Sequence, residues 1–492
     1  MLVTSPNASM ETETFITVGA ALLLLLSLRW IVYQRFPLLV LPRTSFSALF
    51  KSAIDIPPEV LSRQIIDTSK KGPVVRIGTN EVVITDNSLV RSLYASFSKW
   101  PEWYESPEDK LFYGQLSLFG MTHPKEHSAR RRILSNVFSK SLRNSPHVKN
   151  VTREILLGRM IREAEIPSGS SVVRNVRPVH EAFDMDFLTA FAFTPTFSTN
   201  FLNDSDEFNQ FCSWVRELRG GSPDAGKSAK CNLENWCLEM CRAYRAASLL
   251  PTHQTISHCT AEALYSAGLQ EREVAAEILD HLITAKKNLA VVHTYSVYML
   301  SIYTDVQERI REELRSLSLD TLSIDGLDSL PFFNAVVSEI MRTHTEVKAL
   351  TPRQVPDAGY LIPQHITGQS TFLPAGTVVS STREALHSNA DIFPQPLCFW
   401  PERWMGSSES VNHKLAGKIQ PQELRNHLWY FGSGTYGCVA REYALYEIKM
   451  LLAATYMEFS TIVVDCPKGI VYDERQVLFP PAEVPVRFQK VV

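Results

Sequence analysis

The chain has 492 residues, of which 45% are hydrophobic and 21% are charged, as in an ordinary globular protein. Its formal net charge of −3 provides no basic excess, which argues against a protein that binds nucleic acid through surface charge. The eight cysteines are spread along the chain without a dense framework, which argues against a small disulfide-bonded secreted protein.

The N-terminus contains a run that is long and apolar enough to cross a membrane. Residues 15–33 read FITVGAALLLLLSLRWIVY, and only Arg29 interrupts them. Arg29 lies near one end, where its side chain can reach the interface beside Trp30. The run therefore predicts a transmembrane helix.

The charges around this run predict its orientation. Arg35 and Arg43 follow it, and the positive-inside rule then places the remainder of the chain in the cytosol. A cleaved signal peptide is the alternative, but the preceding segment is acidic and no small-residue cleavage site follows. We therefore predict a lumenal tail and membrane anchor over 1–36 and a cytosolic domain over 37–492.

The remainder of the chain predicts a mainly α fold with small β-sheets. Alternating β-branched residues over 72–85 predict a hairpin with its turn at Thr79-Asn80. Helical periodicity predicts long helices at 126–138, 233–247, 271–303 and 305–317. Short strands are predicted at 360–362, at 377–380 and in the C-terminal tail, and 220–228 (GGSPDAGKS) is predicted to be a loop between two helices.

A glycine-rich stretch near the C-terminus permits two interpretations. Gly432, Gly434 and Gly437 spell G-x-G-x-x-G ahead of a predicted helix, which is the fingerprint of a dinucleotide-binding enzyme. No run of βαβ units surrounds it, so this interpretation is weak. The second interpretation places Cys438 at the start of the helix, where backbone amides stabilise a thiolate and the glycines admit a flat macrocycle. A thiolate ligand on heme iron favours O–O cleavage.

The second interpretation agrees with a resemblance to a known family. The stretch 428–449 resembles the cysteine loop F-x-x-G-x-R-x-C-x-G of the cytochrome P450 family, with Phe431, Gly434 and Cys438 in register. Two positions depart from the pattern. Tyr436 stands where the family has an arginine that contacts a heme propionate, and Ala440 replaces the last glycine.

Other motifs of the family follow in its order and spacing. Glu339 and Arg342 form E-x-x-R on a predicted helix, and residues 401–404 read PERW. The resemblance implies that Glu339, Arg342 and Arg403 form a buried charge triad, and His387 also occupies a position where the family has a histidine. It implies a P450-like heme-thiolate fold for the whole cytosolic domain.

The resemblance also implies a cofactor and its contacts. The cofactor is heme b (iron protoporphyrin IX), and Cys438 is its iron ligand. Phe431 packs against the sulfur, and Gly432 and Gly434 shape the loop. The residues implied to anchor the propionates are His127, Arg131 and Arg353.

The helix predicted over 271–303 departs from the family at the distal side of the heme. The family carries A/G-G-x-D/E-T there, and its acid and alcohol relay protons to dioxygen. By register Lys287 replaces the acid and Asn288 replaces the alcohol, so Thr284, Lys287 and Asn288 are the predicted distal catalytic residues. An amide cannot shuttle protons. Lys286 is expected to point into a solvated groove. The side chain of Lys287 can lie either in that groove or in the heme pocket, and the sequence favours neither.

The resulting functional prediction is a monooxygenase that inserts one oxygen atom of dioxygen into an apolar small molecule, in secondary metabolite biosynthesis. The resemblance is strongest to fungal membrane-bound members. It implies a single-pass protein of the endoplasmic reticulum membrane that receives electrons from NADPH-cytochrome P450 reductase. The alternatives are an atypical or degenerate heme-thiolate protein, because of Lys287 and Asn288, a heme protein without turnover, and the dinucleotide-binding enzyme.

Overall fold

The computed structural model describes most of the chain beyond residue 71. The described residues are 72–96, 100, 111–161, 170–250, 259–343, 352–368, 370–406, 420–464 and 483–491, with Leu38, Leu41, Ile65, Asp67, Thr68 and Lys70. No helix among them is both long and apolar enough to cross a membrane. The predicted anchor at 15–33 lies outside the described residues, so it stays a prediction.

The helices and strands are numbered in chain order. The α-helices are α1 (Asn87–Ser96), α2 (Pro124–Val137), α3 (Pro146–Val151), α4 (Val176–Ala192), α5 (Ser205–Gly220), α6 (Pro223–Ser248), α7 (Thr260–Ser266), α8 (Glu271–Ile302), α9 (Thr304–Leu314), α10 (Ile324–Asp328), α11 (Pro331–Thr343), α12 (Gln364–Thr367), α13 (Arg383–His387), α14 (Pro421–Asn426) and α15 (Arg441–Glu458). A π-helical segment, Thr152–Ile161, continues α3, and short 3₁₀ turns lie at Lys140–Asn144, Pro195–Phe197, Leu319–Thr321 and Pro401–Trp404. The strands are β1 (Val74–Arg76), β2 (Glu81–Ile84), β3 (Leu111–Phe112), β4 (Gln115–Leu116), β5 (Ser171–Asn175), β6 (Arg353–Gln354), β7 (Tyr360–Ile362), β8 (Thr371–Leu373), β9 (Val378–Ser380), β10 (Phe459–Val463) and β11 (Pro485–Lys490).

The chain divides into two compact units, and the first comprises residues 1–101 and 349–385. Its main sheet has the strand order β1-β2-β9-β6, and β7 pairs with β8 as a separate hairpin. The predicted hairpin over 72–85 is confirmed, since β1 and β2 pair antiparallel with Val75 opposite Val83. Both valines are fully buried, as the β-branched pattern requires.

The second unit comprises residues 102–348 and 386–492 and is mainly helical. Helix α8 is its longest, and it packs against α4, α6 and α15 and against the sheet β10-β11-β5. Every residue of α8 from 293 to 302 is buried, including Tyr295 and Met299. A helix segment that is buried all round belongs in a core, which explains why α8 forms the centre of this unit.

The predicted long helices are confirmed as α2, α6, α8 and α9, and the predicted strands as β7, β9 and β11. The predicted loop over 220–228 is wrong, because only residues 221–222 separate α5 from α6. Ser222 accepts a hydrogen bond from the Ala225 amide, and Pro223 occupies the first turn of α6. Serine, proline and an acid in this order are the signals of a helix N-terminus, not of a longer loop.

Candidate functional site

The cysteine loop lies between α14 and α15 in the second unit. The Cys438 amide donates to the carbonyl of Phe431 at 2.8 Å, which closes the loop, and the Cys438 side chain is exposed. Gly432 and Gly434 have φ angles of 64° and 71°, a left-handed conformation that a side chain would strain. Helix α15 begins only at Arg441. The prediction that Cys438 starts this helix is therefore wrong, because Cys438 lies in the loop that precedes it.

Helix α2 brings His127 and Arg131 to this loop. Arg131 Nη1 donates to the carbonyl of Gly437 at 2.6 Å. The ring of His127 lies 4.1 Å, centroid to centroid, from the ring of Tyr436. Positions i and i+4 share one face of a helix, so both predicted residues point to the same side of α2. Burial lowers the pKa of Arg131, and the nearby Cys438 sulfur opposes that shift.

A buried ion pair that the sequence analysis missed lies beside these residues. Arg130 Nη1 donates to Glu277 Oε2 at 2.6 Å, and Glu277 also accepts from the Leu118 amide at 3.0 Å. Burial alone would raise the pKa of Glu277, but His281 and Arg130 hold it below its ordinary value. The signal was present in the sequence, since Glu277 interrupts an apolar stretch of α8 with a charge that needs a partner.

The predicted charge triad is present and fully buried. Arg342 Nη2 donates to Glu339 Oε1 at 2.8 Å, and Arg403 Nε donates to the same oxygen at 3.1 Å. Trp404 Nε1 donates to the other oxygen at 2.9 Å. Burial would raise the pKa of Glu339, but the charges of Arg342 and Arg403 hold it at about 2. The carboxylate therefore remains ionised at the centre of this cluster.

His387 connects the triad to the cysteine loop. Its Nε2 accepts a hydrogen bond from the Trp429 amide at 2.9 Å, and its Nδ1 lies 3.1 Å from the carbonyl of Arg342. Arg342 in turn donates to the carbonyl of His387 at 3.2 Å. Since Trp429 precedes Phe431 by only two positions, the buried triad fixes the chain that enters the loop.

The predicted distal residues lie on one stripe of α8. Thr284 and Lys287 are exposed and Asn288 is half-buried, while most of the other α8 residues beyond its first turn are buried. The expectation for Lys286 is wrong. Its Nζ lies 2.6 Å from Glu181 Oε2, and the residue is buried, because α4 supplies a carboxylate partner that the local sequence does not reveal.

Arg353 belongs to the first unit. Its guanidinium carbon lies 3.8 Å from the centre of the Trp100 ring and 5.1 Å from that of Tyr94, and the side chain is buried. These are cation–π contacts within the unit. The implied propionate contact of Arg353 stays a prediction.

Comparison with known proteins identifies the family. A family model described as Cytochrome P450 matches residues 244–488. The cytochrome P450 monooxygenase avaI of Aspergillus versicolor is 80% identical over 407 residues, covering 82% of this chain and 99% of that protein. The chain belongs to the cytochrome P450 family. The P450 monooxygenase FGM1 of Gibberella zeae is more distant, with 24% identity over 498 residues, covering 93% of this chain and 92% of that protein.

The fold agrees with this assignment. The structure of a retinoic acid-bound cyanobacterial P450, CYP120A1, matches with a TM-score of 0.61 and 18% identity, covering 86% of this chain and 93% of that one. The protein is a P450 monooxygenase and hence an oxidoreductase. The cofactor of this family is heme, and its members generally take electrons from a reductase and act on small-molecule substrates. The dinucleotide-binding interpretation is wrong, since the glycines belong to a loop that follows α14 rather than a strand.

The residues around the loop fit a heme. Cys438 presents an exposed thiol, and Gly432 and Gly434 leave no side chain on their part of the loop. Arg131 supplies a cation and His127 an imidazole beside it, which suits the carboxylates at the edge of the macrocycle.

Proposed function

We propose that this P450 inserts one oxygen atom of dioxygen into an apolar small molecule, with heme b held by Cys438. The observation that carries the proposal is the convergence of Arg131 and His127 on the loop of Cys438. Electrons come from NADPH through NADPH-cytochrome P450 reductase. The bound heme would supply the activation of dioxygen, and the thiolate ligand favours cleavage of its O–O bond.

The protein residues hold the cofactor in distinct ways. Cys438 ligates the iron and Phe431 packs against the sulfur, while Gly432 and Gly434 let the backbone approach the macrocycle. His127, Arg131 and Arg353 bind the propionates. Support for the first two comes from their contacts with Tyr436 and Gly437, because those contacts place an imidazole and a guanidinium beside the loop.

Thr284, Lys287 and Asn288 line the distal side in this proposal. The exposure of Thr284 and Lys287 and the partial exposure of Asn288, on a helix most of whose residues are buried, support it, because a space beside α8 leaves them accessible. The Asn288 amide can donate a hydrogen bond that orients a ligand. The replaced acid and alcohol favour a second candidate, an atypical or weakly active heme-thiolate enzyme that carries out a rearrangement or dehydration.

We also place the protein in the endoplasmic reticulum membrane, with a single span and a cytosolic catalytic domain over 37–492. The apolar run at 15–33 and the basic residues after it support this topology. The fungal relatives favour secondary metabolism as its setting.

The test of the proposed function is isotope labelling in a host that supplies the electrons. The full chain is expressed with the reductase in fungal cells, and metabolites are compared under ordinary and heavy dioxygen. We expect a new product that carries one heavy oxygen atom and disappears without the reductase. A new product whose added oxygen comes from water, or a rearranged product without added oxygen, would favour the second candidate.

The double variant Lys287→Asp/Asn288→Thr restores the family's acid and alcohol. We expect it to raise the fraction of NADPH electrons recovered in product, because a carboxyl and a hydroxyl can pass a proton where an amide cannot. Product and NADPH consumption are measured together. An unchanged fraction would show that Lys287 and Asn288 do not limit proton delivery.

A further inference from the structure

Helix α8 carries another acid and another alcohol ahead of Lys287 and Asn288, the acid about two turns earlier and the alcohol about one turn earlier. These are Asp280 and Thr284, four positions apart and therefore on one face of the helix. The Thr284 hydroxyl lies close enough to the Asp280 carboxylate to lower its pKa. The two side chains thus have the chemistry of the pair that the family carries further along the helix.

This pair lies on the accessible stripe of α8. Beyond the first turn, the residues of α8 that are not buried are Asp280, His281, Thr284, Ala285, Lys287, Asn288, Val291 and Val292. Positions 280, 284, 287 and 288 recur at the three- and four-residue spacing of one helix face. On this face Thr284 therefore lies between Asp280 and the pair Lys287 and Asn288.

The Asp280 carboxylate is held from a second side. Ser117 Oγ donates to Asp280 Oδ2 at 2.8 Å. The segment that carries Ser117 is itself fixed to α8, because the Leu118 amide donates to Glu277 at 3.0 Å. The Ser117 hydroxyl therefore holds the Asp280 carboxylate from one side, and the exposed residue Thr284 lies on its other side along α8.

The surroundings of Asp280 favour its protonated form. Burial raises its pKa, and the charge of Glu277 raises it further, while His281 and the hydrogen bonds from Ser117 and Thr284 oppose the shift. The net result is a pKa above the ordinary value of an aspartate. An upward shift of the pKa brings a carboxyl group closer to the range in which it can hold and donate a proton.

We propose that Asp280 and Thr284 form the acid–alcohol pair of this enzyme, displaced toward the start of α8 from the family's positions. The inference rests on the proposed oxygenation. The Asp280 carboxyl gives a proton to Thr284 Oγ, and the Thr284 hydroxyl proton passes to dioxygen. Dioxygen takes two electrons from NADPH and two protons, one oxygen atom leaves as water, and the other enters a C–H bond of the substrate. Asp280 is then reprotonated from solvent.

Variants of the pair test this role by separating electron use from product. For Asp280→Asn and Thr284→Val we expect the product formed per NADPH to fall at least about tenfold. NADPH consumption continues, and the electrons are recovered as hydrogen peroxide. Asp280→Glu should recover part of the yield. The control is Glu271→Gln on the same helix, whose carboxylate pairs with Arg242 at 2.9 Å on the surface. Full product yield in both variants of the pair would overturn the proposal.

A spectroscopic measurement tests the pair without turnover. The infrared band of the protonated Asp280 carboxyl, identified by its loss in Asp280→Asn, should titrate above the ordinary pKa of an aspartate. In Thr284→Val the pKa should rise further, since the Thr284 hydrogen bond lowers it. A pKa that Thr284→Val leaves unmoved would contradict the pair. If the unmodified enzyme forms no oxygenated product, the proposed function fails, and this titration still decides whether the pair exists.

Discussion

Replacing Glu339 with glutamine should lower the free energy of unfolding by about 3–5 kcal/mol. Glu339 accepts hydrogen bonds from Arg342 and Arg403, and all three side chains are buried. The substitution leaves two guanidinium groups in the core without a counter-charge, and such groups are costly to bury. Chemical denaturation of the purified variant and the unmodified protein measures the difference.

A surface carboxylate provides the matched control for this variant. Glu308 contacts Arg311 and Arg315, each at 2.8 Å, but it is half exposed, so Glu308→Gln should cost less than about 1 kcal/mol. The pKa of Glu339 is about 2 against an ordinary 4.5. The ionised carboxylate therefore stabilises the fold fully above pH 4.5, and this stabilisation is lost as the pH falls toward 2. A loss for Glu339→Gln no greater than that for Glu308→Gln would contradict the role of the triad.

Replacing Cys438 with alanine should abolish both heme-thiolate absorption and product formation. The proposed function assigns this sulfur to the iron, and a methyl group cannot ligate it. Heme content, the absorption spectrum and product yield are measured on the purified variant. Because Cys438 is exposed and lies outside α15, the fold itself should survive, which circular dichroism can verify.

Another exposed cysteine separates ligation from general thiol effects. Cys231 lies on α6 and is also exposed, so Cys231→Ala should keep the absorption spectrum and the product yield of the unmodified protein. If Cys438→Ala behaves like Cys231→Ala, the sulfur of Cys438 is not the iron ligand.

The features that could be predicted from the sequence are those with a local pattern. The hairpin over 72–85 and helix α8 follow from periodicity, and the triad follows from two motifs whose spacing the family fixes. Arg131 was singled out by register, and the structure places its guanidinium on the loop of Cys438. Local pattern and family register therefore gave the framework of the site.

The features that were missed depend on partners distant in sequence. Lys286 was expected in solvent because nothing near it in sequence shows that Glu181 lies 2.6 Å away. The ion pair of Arg130 and Glu277 was missed for the same reason, because 147 positions separate the two residues in the sequence. Asp280 and Thr284 lie outside the family's positions, although the spacing D-x-x-x-T on one helix is a usable signal.

The most direct test of the account is the absorption spectrum of the full chain after purification, reduction and exposure to carbon monoxide. We expect a heme protein whose Soret band lies at the position typical of a thiolate-ligated heme, and we expect Cys438→Ala to remove this band. A preparation without heme, or a band that Cys438→Ala leaves unchanged, would contradict it.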